Sequence, residues 1–404
     1  MSIRFIHQYF FPDISSVSQV ISQIAFSLAE TGEKVSVICS RNRYDGKRSN
    51  PLSSSEQING VDVSRCWGPS FGRESFSLGR ILDMGSFCIQ SAIRGLFSPP
   101  ADTLVFLTNP PLYSIVGSWI RKFRGGRFVY ILMDVYPDIM VRAGVLKEGG
   151  LAARILCRIA RVPLRAADVV VVLGEDMRQV AIRSGASPEK VVTIRNWADP
   201  KKIHPVLPTE NRFRREWDFD GKFVVEYSGN LGVSHSFDDI LSVAEELSDH
   251  DEIRFLFAGG GVRFKEVEKF VVSKELRNVI LKPYQDASDL SNSLSVGDVH
   301  YVSLRNGFEG LVVPSKAYGI MAAGRPMIYQ GNEGGEIAQM IVRERCGLVV
   351  PEDDRAGLRD GILRLYRDRE MATRMGMLAR RALEEKYSAS IGLAEYRKVL
   401  AAAN

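Results

Sequence analysis

Short runs of apolar, often β-branched residues alternate along the chain with longer stretches in which apolar residues recur every three or four positions. Residues 4–9 read as a strand. In 18–31, Val20, Ile24 and Leu28 lie four apart, which predicts an amphipathic helix, and Gly32 suits its C-terminal cap. Residues 34–39, 103–107 and 128–132 predict further strands, and 168–173 reads as a strand buried on both sides. Continuous Val/Ile/Leu runs separated by helical stretches are the pattern of a parallel sheet with helices on both faces.

The series then begins again. Residues 223–227, 255–258, 279–281, 299–302, 327–329 and 348–350 predict strands, and 237–247 predicts a helix. Two successive α/β series in 404 residues imply two cores rather than one. The expected organisation is two Rossmann-like domains, 1–200 and 201–385, divided in the polar, Pro-containing stretch 196–207. A final helical segment, 386–404, lies beyond the second sheet and is free to cross back to the first domain. Open parallel sheets bind ligands at the C-terminal ends of their strands. The loops 10–18, 133–138, 228–236, 258–263 and 306–315 all follow strands, so they are expected to line a central cleft faced by both sheets.

Composition narrows the class. With 45% apolar and 25% charged residues, the chain is an ordinary globular one. Its five cysteines are scattered without a CxxC pair, which argues against a disulfide framework or a zinc site and for reduced thiols. The first residues run directly into a strand pattern without a charged-then-apolar leader. The longest apolar candidate, 104–120, is broken by Asn109-Pro110-Pro111, too short for a membrane span. A cytoplasmic protein is therefore expected.

The net charge of +5 is unevenly placed. Residues 121–165 hold ten basic residues against three acidic ones. Within them Arg154, Arg158, Arg161 and Arg165 recur along one face of a predicted helix, with Leu151, Ile155, Ile159 and Val162 on another. Such a face is either a solvated surface or one that meets anionic lipid headgroups, and the size of the cluster favours a peripheral place on the inner face of the cytoplasmic membrane. No nucleic-acid partner is expected.

Three segments carry a family resemblance. HQYFFPDISSVSQVISQIAFSLAETGEKVSVIC, RAADVVVVLGEDMRQVAIRSGASPEKVVTIRNWADP and NGFEGLVVPSKAYGIMAAGRPMI occur in the order and at the spacing of family-4 glycosyltransferases of the GT-B fold. In detail they resemble the bacterial branch that builds surface polysaccharides, such as amino-sugar transferases of O-antigen, capsule and colanic acid synthesis. The resemblance implies transfer of a sugar, N-acetylated in this branch, from a UDP-sugar to a lipid-linked saccharide. It further implies retained anomeric configuration and no cofactor or essential metal.

Without a metal, the leaving diphosphate must be stabilised by backbone amides and cationic side chains. The loops around Asn230-Leu231-Gly232 and Gly259-Gly260 suit that task, because glycine lets amides approach an anion closely. The family's Arg and Lys in the first of these loops match Asn230 and His235 here, so His235 is expected to supply a conditional charge beside the diphosphate. Lys316, Arg305 and Lys265 are further candidate cations. The family's two donor-segment glutamates fall on Leu311 and Gly319, with Glu309 two positions early and Glu336 as a replacement for the ribose carboxylate. Gly310, Leu311, Val312 and Ser315 complete the implied donor-binding segment, and Ser15-Ser16 stand where the first-domain loop carries paired glycines. The resemblance places acceptor-facing residues at 133–138, which makes Asp134 a candidate catalytic residue; Glu309, beside the donor sugar hydroxyls, is the other, and His7, in a strand beside the first loop, reads first as a satisfied core histidine. Two rival functions remain. One is an enzyme similar to UDP-N-acetylglucosamine 2-epimerase, which needs more converging histidines than five in the chain readily supply. The other is a non-catalytic scaffold, suggested by the missing Glu pair.

Overall fold

The computed structural model describes residues 1–13, 15–43, 52–69 and 78–402, and their apolar runs form two separate sheets. Ile14, within the expected loop 10–18, and the last two residues of the expected segment 386–404 lie outside the described residues.

The first sheet contains β1 (Ser2–Ile6), β2 (Lys34–Ser40), β3 (Ser55–Ile58), β4 (Val61–Cys66), β5 (Thr103–Leu107), β6 (Arg127–Ile131), β7 (Val169–Val172) and β8 (Val191–Thr193). Its order is β3-β4-β2-β1-β5-β6-β7-β8. Every neighbouring pair is parallel except β3 and β4, an antiparallel pair at one edge. Around it lie α1 (Ser16–Glu30), α2 (Leu78–Phe97), α3 (Ile115–Arg124), α4 (Asp138–Arg142), α5 (Leu151–Ala166) and α6 (Glu175–Arg183). Ser15 begins α1 as its N-cap, its hydroxyl accepting from the Ser18 amide. Gly117 lets α3 press onto the sheet, since a Cβ there would sit 2.8 Å from the rings of Phe106 and Phe128.

The second sheet contains β9 (Phe223–Asn230), β10 (Ile253–Gly260), β11 (Val279–Lys282), β12 (Val299–Ser303), β13 (Met327–Gln330) and β14 (Gly347–Val350), all parallel in the order β11-β10-β9-β12-β13-β14. Its helices are α7 (Arg212–Glu216), α8 (Asp238–Glu246), α9 (Phe264–Ser273), α10 (Leu290–Leu294), α11 (Lys316–Ala322), α12 (Glu336–Glu344), α13 (Arg355–Arg367) and α14 (Arg369–Lys386). Its core is rich in rings and branched side chains, with Phe223, Tyr227, Phe237, Phe257 and Tyr301 all nearly inaccessible to solvent.

The chain divides into two compact units, Met1–Ile194 with the chain from Leu393 onward, and Arg195–Gly392. The final helix, α15 (Ala389–Leu400), therefore starts in the second unit and ends in the first. There Tyr396 and Leu400 are buried, Thr103 donates to the Leu400 carbonyl, and Arg397 donates to Ser27 Oγ at 2.8 Å.

Strands β9 and β10 run three and two residues past the expected ends 227 and 258, so Asn230 and Gly259-Gly260 lie in the ladder rather than in free loops. The cause is glycine. A Cβ on Gly259 would fall 2.0 Å from the Gly229 carbonyl oxygen, so the approach requires glycine at 259.

Candidate functional site

In the first unit the candidate groups gather at the C-terminal ends of β1, β5 and β6. The loops there each contain a cis proline, Pro12, Pro110 and Pro137. Thr108 Oγ1 accepts from the amides of Met133 and Asp134 at 3.3 and 3.2 Å, tying the end of β5 to that of β6. Asp134 does not cap a helix, because α4 begins at Asp138 behind Pro137. Burial pushes its carboxyl up to about 6, a value suited to exchanging a proton near neutrality. His7 is fully buried with its Nδ1 against the Tyr9 backbone, and burial pulls it down to about 4. His7 is therefore neutral, and its Nε2 has no partner among the described residues. Arg65, which the sequence did not single out, is buried in β4 and donates to the Phe11 carbonyl at 3.0 Å, holding the loop that leads to Ser15 and Ser16. Since the Ser15 hydroxyl caps α1, that loop offers an anion its amides rather than this hydroxyl.

In the second unit the site forms at the ends of β9, β10 and β12. Lys316, first residue of α11, extends over the Tyr227 ring with Nζ 3.6 Å from its centroid. A Cβ on Gly229 would meet the same Nζ at 3.7 Å, so the cation lies against the glycine that ends β9. This Nζ is buried without a hydrogen-bond partner among the described residues, and burial pushes the ammonium well below the ordinary lysine range. Glu309 Oε2 accepts from the Gly307 amide at 2.7 Å, whereas its Oε1 is buried and equally unpartnered. These two buried polar atoms are left for water or a ligand to satisfy. Gly310, at φ +71°, carries the turn to the buried Leu311, which the backbone of Phe308 holds at 3.0 Å; Val312 and the exposed Ser315 follow.

Three candidate residues have other work. Leu231 lies wholly in the core, and its amide donates to the Gly260 carbonyl at 2.7 Å while its carbonyl accepts from Arg263, so its backbone is spent on the fold. Asn230 is exposed, and Gly232 is held by a turn to His235. His235 is not a conditional cation in this structure. Its Nδ1 donates to the Ser303 carbonyl at 2.5 Å, the rings of Tyr227 and Phe237 surround it, and burial with Lys316 nearby pulls it down to about 3. A neutral ring with Nδ1 so engaged presents Nε2 as an acceptor, suited to a hydroxyl or amide rather than a phosphate. Glu336 Oε1 accepts from Arg195 Nε at 2.7 Å, so this carboxylate is already ion-paired where a free ribose ligand was expected. Of the other cations, Arg305 donates to the Val233 carbonyl and Lys265 is exposed on α9. Tyr227 and Ser303, which set Lys316 and His235 in place, carried no signal beyond their places in apolar strands.

The α5 face also differs from expectation. Leu151, Ile155 and Val162 do not pack inward but are exposed beside Arg154, Arg158, Arg161 and Arg165, while Ala153, Pro163 and Leu164 face the sheet.

Residues 16–197 match the family described as glycosyl transferase 4-like domain, and 209–382 the family described as glycosyl transferases group 1. The chain is 30% identical over 298 residues to the probable glycosyltransferase WbjE of Pseudomonas aeruginosa, covering 73% of each protein. It is 26% identical over 343 residues to the putative colanic acid biosynthesis glycosyl transferase WcaI of Escherichia coli, covering 81% of this chain and 83% of that protein. Among solved structures, HepE of Anabaena in complex with UDP and glucose superimposes with a TM-score of 0.74 at 13% identity, covering 99% of both chains.

Proposed function

The chain belongs to the family-4 glycosyltransferases with a group 1 second domain, and from that premise we propose that it transfers a sugar from a UDP-sugar during surface polysaccharide synthesis. The observation that carries the donor half of this reading is the partnerless Lys316 Nζ over Tyr227 beside Gly229. Burial disfavours the charged form of Lys316 while the site is empty, and a diphosphate brought against it favours the ammonium. Gly229 and the amides near Ser315 leave the backbone open to the same phosphates, while Glu309 Oε1 and His235 Nε2 are free to accept from sugar hydroxyls or an acetamido N–H. WbjE and WcaI support the polysaccharide setting, and the bound UDP of HepE supports the nucleotide.

The rest of the reading concerns the acceptor. Asp134 receives the hydrogen bond of an acceptor hydroxyl on a lipid-linked saccharide, the transferred sugar is N-acetylated, and its anomeric configuration is retained. The reaction needs no divalent cation, because Lys316 and the amides meet the leaving charge. The protein works at the inner face of the cytoplasmic membrane, where the α5 arginines Arg154, Arg158, Arg161 and Arg165 meet anionic lipid.

A thermal-shift titration in EDTA tests the donor half. UDP is expected to raise the melting temperature where ADP and GDP do not, and Lys316→Met to abolish the response with the unliganded melt retained or raised. An unresponsive wild-type protein, in buffer and again with detergent, would favour the scaffold reading that Leu311 and Gly319 suggest.

A further inference from the structure

The loop from Leu231 to Phe237 joins β9 to α8, and it is held from two sides. On the side of β12, the wholly buried Ser303 bonds two successive loop residues. Its carbonyl accepts from His235 Nδ1, and its hydroxyl accepts from the Ser236 amide at 3.2 Å and donates to the Ser236 carbonyl at 3.0 Å. Tyr301 of the same strand donates to that carbonyl at 3.1 Å. On the other side stands Arg263, which directly precedes α9. Its amide donates to the Leu231 carbonyl at 3.1 Å, and its Nη1 donates to the His235 carbonyl at 2.8 Å. Its guanidinium also lies over the Phe237 ring, 5.4 Å from the centroid. Arg263 therefore meets the loop at its beginning, middle and end.

An arginine near a diphosphate site is ordinarily a phosphate ligand, but the donors of this one are already engaged. Nε pairs with Glu266 at 2.8 Å, and Asp238 lies 3.6 Å from Nη2. These carboxylates offset its charge, whereas Lys316 Nζ has no partner among the described residues. The two clamps leave one polar atom of His235 unspent. Nδ1 is fixed by Ser303, the backbone by Arg263 and the ring by Tyr227 and Phe237, so Nε2 is an acceptor set in one direction. An acceptor held in this way loses little freedom when it takes a hydrogen bond. It also borders the same ring as the cation: the Tyr227 centroid lies 3.6 Å from Lys316 Nζ and 5.9 Å from the His235 centroid. A diphosphate seated on Lys316 brings the sugar attached to it toward Nε2.

We propose that Arg263 is a positioning residue for sugar recognition, which with Ser303 fixes the loop so that His235 Nε2 accepts from an O–H or N–H of the transferred sugar, and that it takes no part in holding the nucleotide. This rests on the reading that the second unit binds a UDP-sugar.

Calorimetric titration in EDTA tests it, with UDP and with UDP-glucose, UDP-galactose, UDP-N-acetylglucosamine and UDP-N-acetylgalactosamine. At least one of the four sugar nucleotides is expected to bind the wild-type protein more tightly than UDP does. Arg263→Met keeps an apolar stem over Phe237 without the donors, and is expected to weaken that sugar nucleotide about fivefold, the worth of one hydrogen bond, with UDP unchanged. Arg263→Lys still reaches the His235 carbonyl and should recover part of the loss. His235→Phe keeps a ring in the aromatic cluster without Nε2 and should show the same selective loss. Joining Arg263→Met to it should cost nothing more, because both remove one interaction. Should Arg263→Met prove unstable in its unliganded melt, Ser303→Ala releases the loop from the opposite side and is expected to show the same split. Equal loss of UDP and sugar nucleotide in Arg263→Met would make Arg263 a phosphate ligand, and additive losses in the double variant would separate it from His235. Either result overturns the assignment, as does a wild-type protein that binds UDP as tightly as every sugar nucleotide. A wild-type protein that binds neither UDP nor any of the four fails the donor reading itself, and the assignment falls with it.

Discussion

At the scale of single residues, the sharpest prediction belongs to Asp134. Its carboxyl is raised from the usual 3.8 to about 6 by burial alone. The folded protein thus holds this proton to higher pH than the unfolded chain does. That contribution to stability is complete below about 4 and is lost as pH rises through 6, while the ionised form that can accept from an acceptor hydroxyl grows in over the same interval. Accordingly kcat/KM for sugar transfer is expected to climb with unit slope and level off above about 6, and Asp134→Asn to remove both the limb and most of the activity. A profile whose acidic limb survives in Asp134→Asn would assign that limb to another group. The sequence pointed to Asp134 and Lys316 through the segments around them, because both follow strands. It misjudged His235 for a physical reason: its immediate neighbours are polar, and the rings that enclose it come from Tyr227 and Phe237, set in place only by folding. The ion pair of Glu336 escaped for a similar reason, since Arg195 lies 141 positions away in sequence.

At the scale of elements, the pairing of β9 with β10 depends on glycine at one point. The two strands stay in register from Phe223↔Ile253 to Asn230↔Gly260, and at Gly229↔Gly259 they come too close for a side chain. Gly259 also has φ +150°, which an L side chain rarely adopts. Gly259→Ala is therefore expected to cost about 3 kcal/mol or more in urea unfolding followed by circular dichroism. Gly260→Ala is the control, because its Cβ would meet only the edge of the Tyr284 ring at 3.1 Å and should cost far less. Equal stability of the two variants would refute the steric account. The same glycines explain why the periodicity placed these strand ends short: a run of Gly reads as a turn when its partner strand is unseen. Strands β3, β4 and β8 gave little signal because they are short or exposed on one side, whereas the all-apolar β5 and β7 were plain. On α5, regular spacing showed which residues share a face but not which face meets the sheet, and Pro163 and Leu164 took the inward position from Leu151 and Ile155.

At the scale of the whole molecule, two repeats of strand and helix were enough to announce two parallel-sheet units, because each repeat supplies its own buried core. The sequence left the last helix free to return to the first domain, and it does so, although amphipathic spacing alone does not name the surface it covers. That path gives the two units separable tests. Tyr396 and Leu400 are buried in the first unit, where the Leu400 carbonyl also accepts from Thr103 in β5. Lys316, Glu309 and the glycines of β9 and β10 all lie in the second. Leu400→Ala removes a buried side chain and is expected to destabilise the first unit by about 2–5 kcal/mol. UDP at a hundred times its dissociation constant is expected to stabilise the second by about 2.7 kcal/mol. In differential scanning calorimetry the substitution should lower one transition and the nucleotide raise the other, so that the difference between the two temperatures changes by the sum of both shifts. Should UDP raise the same transition that Leu400→Ala lowers, with the remainder unmoved, the nucleotide would be bound by the unit that contains Asp134, and the roles proposed for the two halves would have to be exchanged.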